Sequence, residues 1–80
     1  MDNINERLKD LTLMLLYLTS WKEKGIDVPR SWKSYDFGII DELTDEGFIY
    51  GSHKSKSVYL DESGVRRAKA LLTAYGIKIE

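Results

Sequence analysis

The sequence contains no cysteine, a single histidine and a single proline among its 80 residues. Without cysteine, neither a disulfide framework nor a thiolate zinc site can reinforce the fold. The absence also fits a reducing compartment. His53 stands alone, so a nucleophile–base pair has no second histidine or thiol to draw on. The carboxylates crowd into one helical segment instead of forming a facing acid–base pair. No spacing joins His53 to carboxylates as a metal site, and the glycines build no phosphate loop. The chain is expected to be non-enzymatic, with no catalytic residue, no cofactor and no metal.

Long hydrophobic runs are missing too. The longest, Leu13 to Leu18, is six residues, against the ~20 that a membrane span requires. MDNINERLKD places no basic region ahead of an apolar one, as a secretory signal would. A cytoplasmic protein without membrane association is the expectation. Hydrophobic residues make up 42% of the chain, enough for one domain over residues 1–80 but with a thin core. Self-association is the remaining common route to extra burial.

A net charge of −1 favours no partner class. The distribution is more telling. Residues 34–47 hold Asp36, Asp41, Glu42, Asp45 and Glu46 with no base. Residues 48–60 hold Lys54 and Lys56 with no acid, and Arg66, Arg67 and Lys69 follow.

The spacing predicts a first helix from Asn3 or Asn5 to Lys24, stopped by Gly25. Ile4, Leu8, Leu11, Leu15 and Leu18 step by four and three along one face, which reads as the core face. Leu13, Met14, Leu16, Tyr17 and Trp21 add apolar surface around the rest of the cylinder. A helix apolar on nearly all sides is covered on nearly all sides. Leu13, Met14 and Tyr17 are therefore the candidate face of a homodimer; a purely central core helix is the competing reading.

A connector over 26–34 follows, with Ile26 and Val28 alternating as a short edge strand and Trp32 as a core plug or lid. Ser34 or Asp36 caps a helix to Glu46 whose inner residues are Phe37, Ile39, Ile40 and Leu43, and Gly47 ends it. Phe48–Tyr50 and Ser57–Leu60 read as strands joined by a polar tip. Asp61 caps a last helix with Val65, Ala68, Leu71 or Leu72 and Tyr75 inside, and Gly76 ends it. Ile77–Glu80 alternates as a further short strand or a frayed end.

Helix, strand, basic turn, strand, helix is the order of a winged helix, an α+β fold with three main helices and a two- or three-stranded wing. Leu43-Thr44-Asp45-Glu46-Gly47-Phe48-Ile49 and Leu60-Asp61-Glu62-Ser63-Gly64 with Ala68 resemble the wing region of MarR-type and PadR-type bacterial regulators. Asp61 stands where those proteins carry threonine, and keeps the cap chemistry. The whole chain is also similar to a family of short bacterial proteins of unknown function. Leu15 to Thr19, Trp32, Asp36, Leu43, Gly47, Lys56 to Val58, Gly64 and Ala68 carry that likeness. It implies a bacterial origin and a winged-helix-like fold, and no particular activity.

A winged helix suggests DNA as partner, through a reading helix in the major groove and a wing on phosphates. Base edges are read by Arg, Lys, Asn and Gln, and residues 36–46 have none of them. Five carboxylates there would repel a polyanion. DNA contact is left to the wing and last helix: His53, Lys54, Lys56, Arg66, Lys69 and Arg67. The expectation favoured over it is a protein-interaction module with an unidentified protein partner. Its faces are Asp41, Glu42 and Asp45 on the acidic helix and the surplus apolar surface of the first helix.

Overall fold

Asn3 opens the first helix: its side-chain oxygen accepts the backbone N–H of Asn5 at 3.0 Å. Helix α1 then runs Ile4–Leu18 in the computed structural model, which describes residues 3–78. The helix stops at Leu18, short of the expected Lys24. Two hydroxyls take carbonyls of the last turn: Thr19 Oγ1 donates to Leu15 O at 2.7 Å and Ser20 Oγ to Tyr17 O at 2.6 Å. Trp21 is then drawn into a bridge with Arg30, each backbone N–H donating to the other's carbonyl at 2.8 Å.

The other elements are β1 (Arg30–Trp32), α2 (Phe37–Asp45), β2 (Ile49–Tyr50), β3 (Ser57–Leu60) and α3 (Glu62–Ala74). The strands form one antiparallel sheet in the order β1-β3-β2. Three helices and a three-stranded sheet give the α+β layout of a winged-helix-like fold. The connector strand lies at Arg30–Trp32, after Pro29, and not at Ile26–Val28. Pro29 supplies the carbonyl that accepts Leu60 N–H at 2.9 Å, which proline can do without its own N–H.

Asp36 caps α2 by accepting the Ile39 N–H at 3.1 Å, and Asp61 caps α3 by accepting that of Ser63 at 3.0 Å. At the far end of α2, Gly47 takes φ +82°. Its N–H donates to Thr44 O and the Phe48 N–H to Leu43 O, the paired bonds that close a helix through a left-handed residue. The same closure ends α3, where Ile77 N–H donates to Leu72 O at 2.8 Å. Ile77 thus closes the helix end, and neither Ile77 nor Lys78 is in a strand; Ile79 and Glu80 lie outside the described residues.

The core is shared by all layers. Leu13 and Leu16 of α1 meet Ile40 and Leu43 of α2, Ile49, Val58 and Leu60 of the sheet, and Ala68 and Leu72 of α3. Gly64 sets the spacing between α3 and the sheet. A Cβ there would lie 2.0 Å from the Phe48 carbonyl oxygen, so only hydrogen fits.

Candidate interaction surfaces

Helix α1 packs against α2 on one side, α3 on another, and also touches β1. Apart from Glu6 in the first turn, what the fold leaves exposed along α1 is a single narrow sector. Leu13 and Met14 are 1% and 3% exposed, so these two residues of the expected dimer face are core and cannot meet a second chain without opening the fold. Tyr17 is half-buried against that core. The expected core face is the open one: Ile4 is 70% exposed, and Leu8, Leu11, Leu15 and Leu18 are 41–45% exposed. The spacing was read correctly as one face, but the fold turns that face outward.

The open sector carries no polar side chain. Its residues fall at alternating steps of four and three, a mean of 3.5, which is the period of a two-helix seam. Leu8 and Leu15 occupy one class of seam position, and Ile4, Leu11 and Leu18 the other. At ~1.5 Å per residue the stripe is about 21 Å long.

Polar contacts hold α1 in this orientation. Asn5 Nδ2 donates to both carboxylate oxygens of Glu42 at 2.9 and 3.1 Å. Lys9, nearly buried, pairs with Glu6 at 2.7 Å and with Glu46, the residue that follows α2. Its hydrogen bond to Glu46, then that to Glu6, holds its pKa well above the ordinary lysine value. Arg67 of α3 reaches Asp10 at 3.5 Å, and Arg7 lies over the Tyr75 ring at 5.4 Å.

These contacts divide the acidic face. Glu42 is half-buried and engaged by Asn5, while Asp45 is exposed. Asp41 borders a cleft with Lys33 and His53, beside the wing.

The cationic residues are divided as well. His53, Lys54 and Lys56 sit together at the wing tip. Lys33, which the sequence reading passed over, anchors that tip by donating to the Ser52 and His53 carbonyls at 3.1 and 3.3 Å. Arg66 pairs with Glu62 at 3.7 Å. Lys69 borders two clefts with Tyr17, neither of which includes a wing residue. Lys69 thus shares neither of these clefts with the wing tip.

Trp32, expected as a core plug or lid, and Phe37, expected on the inner side of α2, both lie largely outside. Trp32 is 58% exposed and Phe37 is 74% exposed. Ser31, between Arg30 and Trp32, takes the inward position on β1, so strand alternation puts Trp32 on the outer face. Phe37 sits in the first turn of α2, ahead of the inward residues Ile39, Ile40 and Leu43.

Among the described residues, no group of three or more His, Asp or Glu could hold a metal ion, and no helix is long and apolar enough to cross a membrane. No curated protein and no solved structure matches the chain. A family model does match, over residues 4–78, and the chain therefore belongs to the family described as a domain of unknown function (DUF6429).

Proposed function

We propose that this chain is a non-enzymatic protein-interaction module of the bacterial cytoplasm, and that its α1 stripe pairs with the α1 stripe of a second copy. The observation that carries the reading is the exposed row Ile4, Leu8, Leu11, Leu15 and Leu18. A seam at 3.5-residue spacing is complementary to itself, and a two-fold pair presents the same patch from both sides. An isolated two-heptad helix is too short to pair well, because it must first be ordered. Here the rest of the fold already orders it.

Full burial of a leucine contributes about 1.5–3 kcal/mol. Ten half-exposed side chains across a pair thus contribute on the order of 10 kcal/mol. Association costs are of the same order, roughly 4–15 kcal/mol. The dimer is therefore concentration-dependent and not permanent.

DNA binding through phosphate contacts of the basic wing, at His53, Lys54 and Lys56, is the weaker alternative. The MarR-like and PadR-like likeness of the wing supports the scaffold, but α2 carries no base-reading side chain, and Asp41 and Asp45 are exposed on it. The acidic residues Asp41 and Asp45 remain available to a further protein partner.

The native absence of cysteine gives a direct test of the pairing. Leu11 is the middle residue of the stripe. Leu11→Cys should form an inter-chain disulfide under mild oxidation, since facing seam positions come within the 4.4–6.8 Å Cα range that a disulfide needs. Asp45→Cys, off the stripe, should not. Equal cross-linking at both positions would contradict the seam.

A further inference from the structure

The outer face of the sheet carries a row of rings that neither the fold nor the α1 seam uses. Inward positions are taken by Ser31, Val58, Leu60 and Ile49, all buried. The alternate positions place Trp32, Arg30, Tyr59 and Tyr50 outward, with Arg30 opposite Tyr59 and Tyr59 opposite Tyr50 in the register. Three contacts run across the strands. Trp21 and Trp32 have centroids 5.1 Å apart. The Arg30 guanidinium lies 5.2 Å from the Tyr59 centroid. Tyr59 and Tyr50 stack at 5.5 Å with an interplanar angle of 22°. Arg30 is fixed in place by a 2.7 Å bond from Nε to Ser57 Oγ and by its pair with Glu23.

The two ends of the row differ in charge. At the Trp32 end, a cleft of about 440 Å³ is lined by Trp32 and Phe37 together with Lys33, His53, Lys54 and Lys56, and by no carboxylate. At the Tyr50 end, the neighbouring cleft is bordered by Asp27, Asp61 and Glu62, with Lys22 paired to Asp27. Exposed ring faces beside a cluster of cations select a ligand with both negative charge and flat faces. From this juxtaposition we propose that the Trp32–Phe37 cleft and the adjoining sheet face bind single-stranded nucleic acid. Bases stack on Trp32 and Phe37 while phosphates lie along Lys33, Lys54 and Lys56. A duplex hides its base faces and meets Asp36 and Asp41 on α2 beside the cleft. An acidic peptide offers charge without faces. The inference is independent of the α1 pairing, because no stripe residue lines the Trp32–Phe37 cleft.

Both tryptophans of the chain sit in the row, so intrinsic fluorescence reports directly on stacking. The full chain is titrated with an oligothymidylate of roughly 15 nucleotides, a length within single-fold site sizes. Blunt duplex of equal length and polyglutamate serve as competing probes, each at ~20 mM and ~150 mM salt. The expected result is saturable quenching by the oligothymidylate that weakens with salt. Trp32→Ala should lower affinity roughly fivefold or more, as loss of a stacked base implies. Trp32→Phe should retain most of it. Trp32 is largely exposed, so these variants spare the core; Lys54→Glu/Lys56→Glu supplies a second line and should abolish binding. No quenching at either salt would overturn the proposal. So would duplex or polyglutamate binding as tightly as the single strand, or unchanged affinity in Trp32→Ala.

Discussion

Leu15 and Leu16 are neighbours in the chain, yet Leu16 is wholly buried and Leu15 stands 45% exposed. The boundary between the fold and its open seam runs between them. Helix α1 thus has two apolar faces with different roles, one inside the protomer and one available to a partner.

Truncation separates the two roles. Leu16→Ala should destabilise the fold by about 2–5 kcal/mol, the usual result of emptying a well-packed leucine site. Leu15→Ala should cost much less in a dilute sample where the chain is monomeric. Denaturant unfolding of both variants below the pairing concentration checks the contrast; equal losses would place Leu15 in the core.

Gly47→Val should destabilise by roughly 1 kcal/mol or more, because a β-branched residue resists the left-handed conformation that closes α2. Thermal unfolding measures it, and an unchanged Tm would refute the requirement.

At Gly64 the obstacle is contact and not φ. An added methyl would run into the Phe48 carbonyl, so Gly64→Ala should cost about 1–3 kcal/mol, as overpacking does. The loss should occur despite alanine's higher helix propensity. A gain in stability would show that α3 can slide away from the sheet.

The α3 cap gives the pH dependence its direction. The backbone N–H of Ser63, then its hydroxyl, holds the Asp61 carboxyl below its ordinary pKa. A carboxylate depressed in the folded state contributes stability that is present above its unfolded pKa, about 3.9, and is lost as pH falls through the folded value. Asp61→Ala should therefore lower Tm at neutral pH, and the gap to wild type should narrow below pH ~4. A gap constant with pH would mean that the charge plays no part in the cap.

Local signals made much of the fold legible in the sequence. Asn3, Asp36, Gly47, Asp61 and Gly76 are caps and stops whose chemistry acts within a few residues, and all lie where helices start or end. The β2–β3 wing followed from its flanking helices. What sequence could not assign was direction. Spacing showed that Ile4, Leu8, Leu11, Leu15 and Leu18 share a face, but which face turns inward depends on where α2 and α3 dock. A strict 3.5 period was the available hint, since a core-facing helix in a globular fold shows a broader stripe. The end of α1 was missed because Thr19 and Ser20 compete for backbone carbonyls through hydroxyls, while Gly25 drew attention as the evident stop. The step of three from Phe37 to Ile40 and Leu43 points Phe37 inward, and Trp32 reads as a core plug or lid. Strand alternation around Ser31, and the late start of the inward residues in α2, decide otherwise.

The most direct test of the central claim is sedimentation equilibrium across roughly 1–100 μM protein, the span in which a pairing of about 5.5–8 kcal/mol reveals itself. The seam predicts that wild-type mass rises toward twice the 9.2 kDa of one chain. It predicts that Leu11→Glu/Leu15→Glu stays at 9.2 kDa throughout while keeping a native circular dichroism spectrum. A wild-type chain that remains at 9.2 kDa at the highest concentration, or a double variant that still pairs, would contradict it.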